Sequence, residues 1–498
     1  MSKKLDQLKE ILGEVSDVNH AASVLGWDQQ VNMPSAGGEA RGQQLATLGK
    51  ISHAKSTSDE VGKLLDDLKK EYDGSDSDDA ALVRVAARDF DKATRVPGEF
   101  VAKQAVVTTS AFEAWVEAKG KSDFSIFLPH LEKVMDLMRE YVSFFPPSDH
   151  PYDALLDDYE PGMKTAEVQE IFSKVRTKQV KLIKAIAAAK QVKSDFLRKG
   201  YSEKKVWAFS ETIISQFGYD FSRGRQDKAA HPFETSFSVN DVRITNRYEP
   251  ENPLATLFSG MHEGGHAMYE QGISPAFDRT PLAHGVSSAV HESQSRMWEN
   301  LVGRSQPFWE YFFPKLKKAF SAQLDGVSAK TFYKAINKVE PSLIRVNADE
   351  ATYNLHIMLR LELEIGMLDG SVALKDLPEI WNAKMQEYVG ITPPDDSKGV
   401  LQDIHWSAGL FGYFPTYALG NLVSAQLWEK INKDIPDLDE QIRAGKFDAL
   451  LGWLREKVHV HGHKYDPQDL IKKVTGSRID SAAYIRYLTG KYSDIYGL

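Results

Sequence analysis

There is no cysteine among the 498 residues. Disulfides and thiolate-bound metal are thereby excluded, and a chain of this length can bury enough surface to fold without either. No run approaches 18 uninterrupted apolar residues, so no membrane-spanning helix is expected. Basic charge is not in excess: 61 Lys and Arg face 70 Asp and Glu, for a formal charge of -9. That argues against an electrostatic footprint for nucleic acid. The N-terminus lacks the apolar stretch of a secretory signal, and no internal repeat or low-complexity tract is present. These absences point to a cytoplasmic globular protein, and the 42% hydrophobic and 26% charged content is ordinary for one.

What is present is helical periodicity. "DQLKEILGEV", "VGKLLDDLKKEY", "FLPHLEKVMDLMREYVSFF" and "VQEIFSKVRTKQVKLIKAIAAAK" all space apolar residues by three and four. The N-terminal segment reads as an amphipathic helix with Leu5, Leu8, Leu12 and Val15 on one side. "GSDSDDA" (74–80) predicts a turn followed by a helix N-cap. The proline-bearing stretch 145–162 predicts a connector, since its prolines do not fit helix interiors. One stretch departs from the pattern. In 231–250, Phe233, Val239, Ile244 and Tyr248 nearly alternate with polar residues, which predicts two short strands turning near Asn240 and Asp241. The expected fold is mostly α, with a small β hairpin just upstream of residues 255–272.

The helix following that hairpin carries "GMHEGGHAMYE" (260–270). Each interior glycine costs roughly 1 kcal/mol relative to alanine, so something other than helix stability sets these positions. His262 and His266 differ by about 40° around a helix, and two imidazoles one turn apart can grip one cation. With Glu263 beside them this is the H-E-x-x-H arrangement of zinc peptidases. Gly265 lies about 60° from His262, where a missing side chain lets another helix or the substrate backbone come close. Gly264 falls near the back of the helix, at about 200°, consistent with close packing behind it. Catalytic zinc takes three protein ligands and keeps one position open. A further helix (287–303) offers Glu292 and Glu299, seven residues apart. Spacing alone leaves both open, and the commoner fate of such acids is a solvated helix face.

Further motifs occur in order along the chain: "HPF" (231–233), "DVRIT" (241–245), "IRVNAD" (344–349) and "GVLQDIHW" (399–406). Together with "HEGGH" and "HESQS", this set resembles the carboxypeptidase Taq family of zinc metallocarboxypeptidases. "WDQQVNMP" near residue 27 and "HPYDALLDDYEPGM" (150–163) also look familial, so the resemblance covers nearly the whole chain. It implies His262, His266 and Glu292 as ligands of one Zn2+ per chain, with Co2+ able to substitute, and Glu263 as general base. Glu292 is thereby preferred to Glu299. It also implies a homodimer of helical subunits that releases C-terminal residues one at a time with broad preference. The expected organisation is a single catalytic domain over 1–498, with helical lobes of about 1–195 and 196–498 flanking a deep groove. A zinc oligopeptidase cutting internal bonds is the alternative.

The resemblance also frames the remaining candidates. Related helical zinc peptidases place a histidine and a tyrosine over the tetrahedral intermediate, which here suggests His405 with Tyr417, and Tyr413 as the alternative. Either tyrosine is otherwise a packed ring with a satisfied hydroxyl. Recognition of a free C-terminal carboxylate suits arginine. Arg345 is expected to bind it and Arg243 to shape the groove end; the competing expectation is that each ties its own motif to a neighbouring acid. Asp349 is read as a partner of such an arginine or as support for a metal-binding histidine. His459, His461 and His463 alternate in "VHVHGHKY", but no base accompanies them and Gly462 suggests a turn.

Overall fold

The N-terminal periodicity produces one long helix, α1 (Lys3–Val31), in the computed structural model, which describes residues 3–498. Leu5, Leu8 and Leu12 are buried as their spacing requires, while Val15 is half-buried. They meet Val61, Leu64, Leu65 and Leu68 of the helix Asp59–Glu71 in a core that also takes Val239, Ile273, Leu282 and Ala283. The helix Asp78–Arg95 starts where "GSDSDDA" predicts, with Ser77 Oγ accepting from the Ala80 N–H at 3.1 Å.

The chain forms two compact units, each assembled from three separate stretches. The first comprises residues up to Thr94, Ser194–Ile336 and Leu427–Gly476; the second comprises Arg95–Lys193, Asn337–Gln426 and Ser477–Leu498. One crossing of the chain from one unit to the other lies between Lys193 and Ser194. The units are nevertheless not an N-terminal and a C-terminal part, because late segments return to early ones. His459, fully buried, reaches Gln294 Oε1 from its Nε2 at 2.9 Å within the first unit.

In the first unit, helix α2 (Glu203–Phe217) leads to a three-stranded sheet of β1 (Gln226–Lys228), β2 (Glu234–Ser238) and β3 (Asp241–Asn246), in the order β1-β3-β2. β2 and β3 pair antiparallel, with Glu234 opposite Ile244, and form the expected hairpin. β1 adds in parallel, a strand too short and too polar to show periodicity. The sheet is tied to helix α3 (Ala255–Gly272): Asn246 Nδ2 donates to the Thr256 carbonyl at 3.0 Å, and Thr256 Oγ1 to the Arg247 carbonyl at 2.9 Å. α3 stops at "GISP". Helix α4 (Ser288–Arg296) follows, capped by Ser287 Oγ accepting from the Val290 N–H at 3.2 Å. It runs on into a π turn, Met297–Val302, a widened helical turn often found at functional sites.

In the second unit the helices Gly98–Lys121 and Phe124–Ser143 pack together, and Thr165–Ala188 lies against helix α5 (Glu350–Asp369), buried along nearly its whole length. The 145–162 connector contains one short helix, Tyr152–Leu156, with Pro151 at its N-cap. Asp349 has neither of its expected roles. It caps α5, Oδ1 accepting from the Ala351 and Thr352 N–H groups at 2.9 and 3.0 Å, and Oδ2 from the Glu340 N–H at 3.0 Å. Asp349→Ala is expected to lower stability in urea unfolding by about 1–2 kcal/mol, with Asp349→Asn costing less because asparagine also caps. No helix among the described residues is long and apolar enough to cross a membrane.

Candidate metal centre

His262 and His266 project from the same face of α3, their rings 4.9 Å apart. Across from them α4 presents Glu292. Its Oε2 lies 3.7 Å from His262 Nε2 and 3.4 Å from His266 Nε2. The three donor atoms all fall within 4.8 Å of one another, the one such metal-capable group among the described residues. The donor set fits a divalent cation. Ligands at about 2.0–2.1 Å around a tetrahedral centre are about 3.3 Å apart, close to both observed separations.

The two glycines have separate reasons. A Cβ on Gly265 would stand 2.7 Å from the Gln294 carbonyl oxygen and 2.7 Å from Ser295 Cα, both backbone atoms of α4. The missing side chain therefore lets the helix bearing Glu292 press against the helix bearing the histidines. Behind α3, a Cβ on Gly264 would meet Ile214 Cγ2 of α2 at 3.1 Å.

Several charged groups surround the triad. Glu299, on the π turn, is not part of it; its Oε2 lies 2.9 Å from His262 Nδ1. Arg296 donates to Glu292 Oε1 at 2.6 Å and to Glu299 Oε2 at 3.2 Å, and Arg304 reaches Glu299 Oε1 at 3.3 Å. Burial opposes ionisation of both acids. Arg296 and the imidazoles overcome it, holding Glu292 well below the usual carboxylate range and Glu299 at about 2. Burial pushes His266 down to about 3, with His291 adding to the effect. Glu263, 6% exposed, is pushed up to about 7, chiefly by burial, with His262 opposing and Glu292 assisting. Glu270, Arg296 and Arg304 had no role in the motif reading. Two of them were within its reach: Glu270 continues the 262, 266 spacing by four, and Arg296 follows Glu292 by four.

The model of the carboxypeptidase Taq (M32) metallopeptidases matches residues 7–492. The chain belongs to the carboxypeptidase Taq (M32) family of metallopeptidases. It is 38% identical over 488 residues to carboxypeptidase 1 of Bacillus subtilis, with 98% of this chain and 97% of the relative covered. Thermostable carboxypeptidase 1 of Thermus thermophilus is 39% identical, with 98% of each chain covered. Among solved structures, the M32 carboxypeptidase of Deinococcus radiodurans superposes with a TM-score of 0.97 at 42% identity, with both chains fully covered. The protein is therefore a peptide hydrolase of the metallocarboxypeptidase class, dependent on a divalent metal.

The other M32 motif residues sit as follows. Arg243, in the first unit, is paired with its own motif: Nε and Nη2 donate to Asp241 at 2.8 Å each, and the guanidinium lies 4.4 Å from the Trp27 ring and 4.8 Å from that of Phe237. In the second unit Arg345 is 5% exposed. Its Nε and Nη2 donate to Asp403 Oδ1 at 3.1 and 2.9 Å, and Nη1 to Tyr353 at 3.0 Å. Arg345, expected to bind a substrate carboxylate, and Arg243, expected to shape the groove end, are thus each paired with an acid of the protein. Arg360 takes the other oxygen of Asp403, so two guanidiniums against one carboxylate leave net positive charge there. His405, two residues beyond Asp403, has Nε2 3.5 Å from the Tyr417 hydroxyl and stacks on Tyr413 at 5.7 Å. Burial, with the two arginines assisting, pushes it down to about 4, so it is neutral at pH 7. In the alternating histidine tract, His459 packs on Tyr269 at 5.0 Å and Gly462 turns the chain at φ +47°.

Proposed function

We propose that this protein removes C-terminal residues from peptides one at a time, with broad preference, using Zn2+ held by His262, His266 and Glu292. The observation that carries this reading is the shared reach of those three donors with Glu263, a buried acid, at the next position of the same helix. Zinc in such a site supplies Lewis acidity, polarising the scissile carbonyl and making water a stronger acid. Glu263 takes the proton of the attacking water and hands it to the leaving amine. Glu299 and Arg296 hold His262 and Glu292 in place during these transfers. Tyr417 and neutral His405 are assigned as donors to the developing oxyanion, on motif resemblance and on their pairing with each other; Tyr413 supports His405 by stacking. Arg345 contributes residual positive charge rather than a free two-pronged clamp, since Asp403 already takes two of its donors, and Arg243 contributes shape. Family resemblance supports a homodimer with Co2+ as a working substitute for zinc, and the absence of cysteine fits a cytoplasmic setting.

The test uses N-blocked short peptides with free and amidated C-termini, incubated with and without chelator and with zinc restored. The free-acid peptide is expected to lose its last residue only when zinc is present, while the amide persists. Equal cleavage of both would overturn the exopeptidase reading in favour of internal cutting.

A further inference from the structure

The two imidazoles of the metal centre are held by different groups. His262 Nδ1 faces a carboxylate directly, Glu299. His266 Nδ1 instead faces another imidazole, with His291 Nδ1 2.5 Å away and the two rings stacked at 4.6 Å and 27°. His291 Nε2 in turn lies 3.0 Å from Glu270 Oε1. Glu270 is itself fixed: Oε1 accepts from the Gly285 N–H at 3.0 Å and Oε2 from Ser236 Oγ at 3.4 Å. A Cβ on Gly285 would stand 2.6 Å from His291 Cδ2, so the loop between α3 and α4 closes directly over this ring. Tyr269 lies against its side at 5.3 Å, and Glu234 Oε2 is 3.9 Å from His291 Nε2.

Counting protons sets the direction of the chain. A neutral imidazole has one N–H, and one that offers Nε2 to a cation carries it on Nδ1. His266 must then donate from Nδ1, and His291 Nδ1 must accept. With Nδ1 accepting, His291 carries its N–H on Nε2, where Glu270 is placed to accept it. Reversing either tautomer sets two donors or two acceptors against each other. We propose that His291 and Glu270 are positioning residues for His266, a two-step relay that fixes its tautomer and ring plane for a divalent cation. The proposal rests on the zinc reading above and adds to it a group outside the ligand set. It also makes the two ligands unequal, since His262 leans on a carboxylate and His266 on an imidazole.

The test measures zinc affinity of the full-length protein by competition with a chromophoric chelator, together with the visible absorption of the Co2+-substituted form. His291→Phe keeps a stacked ring but removes the acceptor. It is expected to weaken zinc binding by about 10–100-fold and to alter the cobalt spectrum. His291→Asn returns an acceptor oxygen near the Nδ1 position and is expected to recover most of that affinity. Melting of the metal-free variants separates the relay from simple unfolding, and both variants are expected to melt with the native chain. Zinc binding by His291→Phe as tight as native, or by His291→Asn no tighter than by His291→Phe, would overturn the relay. A native chain that holds zinc no better than His262→Ala would overturn the metal reading itself, so the two failures are distinguishable.

Discussion

Replacing Glu263 with glutamine is expected to lower kcat by roughly 10²–10⁴-fold while zinc stays bound. The substitution conserves size and removes only the capacity to accept a proton. Glu263 is nearly sealed from solvent, and burial brings its carboxyl up to about 7, where it can both take a proton and release one near neutrality. A carboxyl left at its ordinary value would be a poor proton carrier at pH 7, and a permanently protonated one would be no base. Glutamine at 263 faces the same His262 and the same pair of acids, so the ligands keep their places. The measurement is kcat on a free-acid peptide alongside zinc content of the same sample. Activity that falls less than about tenfold with full zinc would move the base role to another group.

The metal triad was legible because helical spacing is rigid. Two histidines four apart must share a face, and a nearby helix with an acid at the right place completes the set. Glu299 shows where that logic stops. Seven residues from Glu292, it shares the same side of the helix, and spacing offered both acids equally. The structure separates them through the π turn and Arg296, placing Glu292 toward both Nε2 atoms and Glu299 toward His262 Nδ1. The hairpin was legible from alternation, whereas β1 was not, because "QDK" pairs through its backbone alone. Arginines gave the least. Arg243 and Arg345 carry donors that suit a substrate carboxylate and an internal one equally; Asp241 shares the motif of Arg243, whereas Asp403 lies 58 residues from Arg345 and no spacing announces it. Asp349 was weighed only as a side-chain partner, although an aspartate immediately before a long helical run is also an N-cap signal.

Gly265→Ala is expected to be destabilising although helix propensity alone predicts the reverse sign. Propensity offers about 1 kcal/mol in favour of alanine inside a helix. Against it stands a methyl group placed 2.7 Å from the backbone of α4 at Gln294 and Ser295, atoms that cannot rotate aside. Overpacking of this kind costs typically about 1–3 kcal/mol, so the net change in urea unfolding is expected to be a loss. The larger consequence falls on the site. Relief of the contact requires α3 and α4 to separate, and Glu292 moves with α4 while the histidines stay with α3. Zinc affinity is therefore expected to fall by more than the change in stability accounts for. Gly264→Ala is the internal control on the same helix. Its new methyl meets Ile214 Cγ2 at 3.1 Å, a looser contact and with a side chain of α2 rather than the backbone of α4, so crowding is smaller and zinc binding holds. Equal zinc affinity in the two variants would mean that the close approach at Gly265 is not what keeps Glu292 in reach of the imidazoles.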